Sequence, residues 1–213
     1  MPHSGSLQDV PGGDDHDGTP AEHSPVVLRQ TDLRPFMAAF PSGVSVVTTL
    51  DADALPRGLT CSSLTSVALA PPTLMVCIRT ASPTLDALLE QGQFALNLLH
   101  EGARATADLF ASGAPDRFDR VEWRLPLGAS GPHLTEAAHA VADCSVLRTV
   151  AFGDHTAVFA QAGRVAVRPA VNPLLYGLRR YAGWSDAASA PQPPAAVLPL
   201  RSVASEGAAG VRG

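Results

Sequence analysis

Short apolar runs broken by turn residues, with no repeated alternation of strand and helix patterns, most constrain what this chain can fold into. The run "GVSVVTTL" (43–50) is rich in β-branched residues and stops at "DADALPRG" (51–58), so it reads as one arm of a hairpin. The return arm opens the stretch "GLTCSSLTSVALAPPTLMVCI" (58–78), where Leu64, Val67 and Leu69 lead into Pro71-Pro72 and a buried strand, "TLMVCI". Six hydroxyl residues, Thr60, Ser62, Ser63, Thr65, Ser66 and Thr73, crowd into positions 58–73. So many small hydroxyls beside an apolar strand need an explanation.

Helical spacing is confined to three segments. In "TDLRPFMAAF", Leu33, Phe36, Met37 and Phe40 recur at i, i+3, i+4, i+7, with Thr31 as a cap and Pro35 in the first turn. "SPTLDALLEQG" predicts a helix capped by Ser82 or Thr84 and stopped at Gly92, and "EGARATADLFA" a further one. Strands are expected at "QFALNLLH", "CSVLRTVAFG", "HTAVFAQAGRVAVR" and "LLYGLRRYAGW". Strands without repeated βαβ units predict a mainly β fold, a closed antiparallel barrel with peripheral helices.

The formal charge of -5 is unevenly spread. Asp9, Asp14, Asp15, Asp17 and Glu22 stand in residues 1–24 without a base, which leaves 15 basic against 15 acidic residues in 25–213. A neutral body without a basic cluster excludes a duplex nucleic-acid binder. Residues 1–26 and 185–213 are poor in large apolar side chains and are expected to be disordered tails around a single domain at 27–184. Three scattered cysteines, Cys61, Cys77 and Cys144, suit free thiols in a reducing cytoplasm, without excluding one bridge. No secretory leader is evident, and no apolar run reaches the roughly 18 residues of a membrane helix. A soluble cytoplasmic protein is the expectation.

Two readings of the hydroxyl stretch stay open at this level. Hydroxyls and backbone N–H groups between strands can cradle an anion, or they can decorate the polar side of a strand and its turn. His155, in "FGDHT", can serve a substrate as donor, acid or base, or be a satisfied loop histidine. Asn97, inside the apolar "FALNLL", must find partners or face a ligand. "DRF" (116–118) reads as an ion pair with a phenylalanine anchoring the loop. His133 and His139 match no metal-ligand spacing, and no Rossmann, P-loop, nucleophile-elbow or zincin motif occurs.

In order and spacing, "FPSGVSVVTT" (40–49), the 58–78 stretch, "FALNLL" (94–99), "FA" (110–111), "DRF", Cys144, "GDHT" (153–156) and "PLLYGLRRY" (173–181) resemble the flavin reductase family of FMN-binding split barrels. More narrowly, they are similar to the small reductase components of two-component flavin-dependent monooxygenases. The resemblance implies an antiparallel split β-barrel, homodimeric, with flavin at the subunit interface. It implies FMN or FAD held by Thr60, Cys61, Ser62, Ser63, Ser66 and Val67, with Ser42, Gly43, Val44, Ser82 and Asn97, and Arg104 toward a phosphate. It further implies His155 beside the nicotinamide of NADH or NADPH, Tyr176 or Tyr181 near the ring, and a monooxygenase that receives reduced flavin. No nucleic-acid or membrane partner is implied.

Three positions depart from the family pattern. Ser62-Ser63-Leu64 stands where Asn-Ser-Phe is common, Ala103 or Arg104 replaces a glutamine, and Ala68 replaces a serine. Rival readings are a non-catalytic flavin carrier and an oxidase of the same barrel that holds its flavin tightly.

Overall fold

The structure is a computed structural model that describes residues 32–184. The expected disordered tails, 1–26 and 185–213, lie outside those residues, as does Thr31. In chain order the elements are α1 (Arg34–Ala38), β1 (Ser42–Gly43), β2 (Ser45–Leu50), β3 (Pro56–Cys61), β4 (Thr65–Leu69) and β5 (Pro72–Arg79), followed by α2 (Pro83–Gln91) and β6 (Gln93–Leu99). A 3-10 turn at Glu101–Ala103 runs into α3 (Arg104–Ser112), and then come β7 (Trp123–Arg124), β8 (His133–Leu134), β9 (Ala138–Phe152), β10 (His155–Val167), β11 (Leu175–Gly177) and β12 (Arg180–Ala182).

The main sheet is antiparallel and seven-stranded, in the order β3-β2-β6-β9-β10-β5-β4. β2 and β3 form the expected hairpin, from Ser45 opposite Cys61 to Leu50 opposite Pro56. The reading of 58–78 as one return arm and one strand needs correction, because the stretch carries β3, β4 and β5. β3 and β4 lie at opposite edges of the sheet, yet only residues 62–64 join them. The proline pair falls at the β4–β5 turn, with Leu69 opposite Pro72, where a missing N–H costs little of the ladder.

β9 begins at Ala138, six residues before the expected start at Cys144, because its first half pairs with β6. The segment near Tyr176 is a small hairpin, β11–β12, turned at Leu178 and Arg179 with φ of 50° and 60°, and β11 pairs with β1. The helix over 31–40 is shorter than its pattern, and its apolar side chains Phe36 and Met37 are exposed. The α2 helix ends as expected on Gly92, whose φ of 64° is left-handed.

β2 is buried on both faces, and period 2 explains how. Val44 and Val46 enter one cluster with Leu99, Ala107, Phe110, Phe118 and Leu134. Val47 enters the other with Val76, Ile78, Leu85, Leu88, Phe94 and Val158. Helix α3 brings Phe110 against Phe118, edge to face at 5.1 Å. Only glycine permits this approach at Gly58, where a Cβ would stand 2.9 Å from the Val47 carbonyl oxygen and 3.0 Å from the Phe110 ring.

One buried carboxylate fastens the loop before β8. Asp143 on β9 accepts from the Ser130 N–H (2.7 Å), His133 Nε2 (2.9 Å) and Arg164 Nε (2.8 Å). Burial pushes its pKa up, but the bonds from His133, Ser130 and Arg164 hold it below the ordinary value. A carboxyl depressed on folding contributes stability that is complete above its unfolded pKa of about 3.9 and lost as pH falls through the folded value. Asp143→Ala should therefore cost roughly 2–3 kcal/mol in urea unfolding near neutrality. The difference between variant and wild type should shrink on acidification below about pH 4; an equal deficit at both pH values would contradict the assignment.

Candidate functional site

Two clefts flank the β3–β4 connection. The first, of about 710 Å³, lies between β3, the end of β5, the start of α2, the end of α3 and the start of β10. Thr60, Cys77, Ser82 and His155 line it, together with Arg57, Arg79 and Arg117. No carboxylate is among its lining residues, so three guanidiniums give it a positive field suited to an anionic ligand. Arg57 is held by Asp51 at 2.7 Å, and Arg117 donates to the carbonyls of Gly58, Gly113 and Ala114. Ser82 occupies the N-cap position of α2 without making a side-chain cap bond, which leaves its hydroxyl available.

His155 opens β10 opposite Arg79 of β5. Its Nδ1 meets Asp154 Oδ1 at 2.8 Å, and this hydrogen bond, with the histidine's charge, lowers the Asp154 pKa. With Asp154 as acceptor, Nδ1 carries the proton and Nε2 is left for other contacts. The Asp154 carbonyl accepts from the Thr80 N–H, and the Thr80 and Thr156 hydroxyls meet at 3.1 Å, so the turn is stitched to the end of β5.

The second cleft, of about 770 Å³, is lined by Ser42, Ser62, Ser63 and Tyr176, with Met37, Phe40, Met75 and Arg179 among the rest. Ser63 anchors the wall between the clefts, since its hydroxyl accepts from the Cys77 N–H and donates to the Cys77 carbonyl, each at 2.9 Å. Thr60 donates to the Ala107 carbonyl at 2.7 Å, and the Thr65 and Thr73 hydroxyls also reach backbone carbonyls. Four of the six hydroxyls thus serve the fold. Ser62 and Ser66 make no side-chain hydrogen bond among the described residues; Ser62 lines the second cleft, and Ser66 an apolar groove.

Other expected site residues are placed differently. Asn97 is fully buried and bonds Val46, Thr48 and Pro132 through Nδ2 and the Leu134 N–H through Oδ1, so its amide is consumed in the core. Val44 is buried with both backbone groups paired, Gly43 pairs with Leu175, and Val67 is exposed. Cys61 is buried with its sulfur 3.1 Å from the Ser63 hydroxyl. Arg104 lines neither cleft; it stands 5.6 Å from the Tyr181 ring and 3.7 Å from Asp108. Tyr181 packs on Tyr176 at 5.2 Å, and burial, reinforced by Asp108, raises its pKa. His133 serves Asp143, and no group of three or more metal-ligating side chains occurs among the described residues. Sequence reading missed Arg57 and Arg79 and took Arg117 only as part of an ion pair in "DRF", whereas Arg117 donates to backbone carbonyls and Asp116 pairs with Arg120. The three arginines lie 22 and 38 positions apart and converge only in the fold.

The chain matches the flavin reductase like domain over residues 37–185. It is 45% identical over 154 residues to the flavin reductase (NADPH) of Lentzea aerocolonigenes, covering 72% of this chain and 89% of that protein. It resembles the solved NADH:FAD oxidoreductase of Streptomyces globisporus C-1027, with a TM-score of 0.69 at 31% identity, covering 75% of this chain and 98% of that one. A further solved relative is the styrene monooxygenase flavin reductase of Pseudomonas putida S12, with a TM-score of 0.64 at 30% identity over 71% of this chain and 97% of that one.

The three thiols differ in access. Burial pushes the Cys61 thiol up and that of Cys144 to about 12, whereas Cys77 is half-buried on the first cleft. Iodoacetamide at neutral pH should modify Cys77 roughly tenfold faster than the other two, read by peptide mass spectrometry. Faster labelling of Cys144 would contradict this ranking.

Proposed function

The chain belongs to the flavin reductase family, and we propose that it reduces FMN or FAD with NADH or NADPH and passes the reduced flavin to a separate monooxygenase. The observation that carries this reading is the arginine-lined cleft with His155 at its edge, next to a second cleft bearing the uncommitted Ser62 hydroxyl. Both ligands carry phosphate, and a cleft lined by three guanidiniums and no carboxylate fits that chemistry. When the two are bound, nicotinamide supplies a hydride that flavin accepts, a transfer that needs ring contact and little acid or base help. The residues therefore act mainly by placement. Ser62 and Ser82 offer hydroxyl donors, Thr60 and Ser63 hold the cleft walls, and His155 presents Nε2 to the nicotinamide side.

The sheet is read as a split barrel. Seven flat strands would separate their edges by about 29 Å, whereas the four steps from Cys61 to Thr65 reach at most about 14 Å. The short link between β3 and β4 supports a sheet curled until its edges approach. The active species is read as a homodimer. An apolar groove of about 290 Å³, bounded by Leu64, Leu69, Leu74, Leu98 and Val165, supports burial of this face against a second copy. Leu69 and Val165 are strongly exposed in the single chain.

The decisive assay follows nicotinamide absorbance with each of the four donor–flavin pairs. Turnover above the reaction with free flavin is expected for at least one pair, and His155→Ala should lower kcat/KM for the donor roughly tenfold. No acceleration with any pair, despite flavin binding, would overturn the reading in favour of a carrier. In sedimentation, wild type should run as a dimer and the double variant Leu69→Asp, Val165→Asp as a monomer; a monomeric wild type would refute the dimer.

A further inference from the structure

We infer that Arg79 is the residue that recognises a phosphate of the nicotinamide donor, as distinct from the flavin. The inference rests on the reductase reading and adds a division of labour among the arginines of the first cleft.

The hydrogen bonds that each already makes separate the three. Arg57 spends Nε and a terminal nitrogen on Asp51, at 2.8 and 2.7 Å. Arg117 spends Nε on the Gly58 carbonyl and another nitrogen on Gly113 and Ala114. Both also shape the fold, through the β2–β3 turn and the loop after α3. The Arg79 side chain makes no hydrogen bond or ion pair with any described residue; only its backbone is engaged, by the Ser82 N–H and the ladder to His155, and it is exposed on the cleft at the end of a well-formed strand. Asp154, the carboxylate whose field it feels, is already engaged by His155 at Oδ1. Arg79 therefore keeps its full planar fork, the geometry that suits a phosphate.

Position assigns the ligand. Arg79 is the direct register partner of His155, and the Thr80 N–H bond to the Asp154 carbonyl holds the two strand ends together. A dinucleotide whose nicotinamide lies against His155 brings its phosphates within reach of the neighbouring guanidinium. The uncommitted Ser62 hydroxyl lies across the Ser63 wall in the other cleft. The shared chemistry is a phosphate on the donor, either the pyrophosphate common to NADH and NADPH or the 2′-phosphate of NADPH alone.

The test compares wild type, Arg79→Ala and Arg79→Lys as full-length chains, with circular dichroism to confirm folding. NAD+ and NADP+ binding is measured by calorimetry, FMN and FAD binding by quenching of flavin fluorescence, and KM for each substrate by turnover. Arg79→Ala should weaken nicotinamide dinucleotide binding about tenfold and raise KM for the donor in parallel. Flavin affinity should stay unchanged, and Arg79→Lys should recover part of the loss. Weakening of both dinucleotides identifies the pyrophosphate; weakening of NADP+ alone identifies the 2′-phosphate. A loss confined to FMN or FAD, or no change in any affinity, overturns the inference. Wild-type protein that turns over while Arg79→Ala matches it leaves the reductase reading standing and removes this one alone; wild type that binds neither class and lacks turnover removes both.

Discussion

Three residues, Ser62 to Leu64, join strands that stand at opposite edges of a seven-stranded sheet. The second cleft opens on that link, and Ser63 ties it to Cys77 of the first. A connection so short keeps the joined ends of β3 and β4 within about 14 Å of each other, and its Ser63, on the second cleft, bonds Cys77 on the first, so it forms part of the wall between them. Ser63 makes the wall rigid by exchanging two hydrogen bonds with the Cys77 backbone. The Ser63 hydroxyl answers a demand of the seam itself. Backbone groups at a seam have lost their ladder partners, and serine or threonine can replace those partners without adding bulk.

The site is built by convergence onto this wall. Arg57 arrives on β3, Arg79 at the end of β5, Arg117 after α3 and His155 at the start of β10. Each is anchored by an element that also serves the core: Phe110 and Phe118 press α3 and the following loop onto Gly58, and Leu85 and Leu88 seat α2 in the second cluster. Cleft and core are therefore mechanically one structure. The positive field has no counter-charge on the lining itself, since Asp51 and Asp154 stand beside the arginines and His155 without lining the cleft. Such an arrangement is stable in water because the guanidiniums remain solvated, and its chemistry suits an anion.

Much of the secondary structure was legible because its signals are local. The hairpin around residues 51–58, the α2 stop at Gly92 and the strands 93–99 and 155–167 follow from β-branched runs, turn residues and a left-handed glycine. Legibility failed where pairing partners are distant. The 58–78 stretch looked like two strands because nothing local says that Cys61 and Thr65 belong to different sheet edges, and the first half of β9 was missed because only its distant partners, β6 and the second half of β10, make it a strand. Asn97 shows the same limit at the site. Its sequence setting allowed a ligand contact or a core role, and the loop carrying Pro132 and Leu134 decided for the core.

By itself, the sequence determined the fold class, the order of motifs that marks the family, and the segments from which a flavin and nicotinamide site could be drawn, because these are carried by residue type and spacing along one chain. Only the tertiary structure decided which hydroxyls are spent on backbone and which are free, that Arg104 stays with Tyr181 and Asp108, and that three arginines scattered along the chain share one cleft. The physical reason is that a polar side chain's availability is settled by what surrounds it. Those surroundings are assembled from segments tens of residues apart.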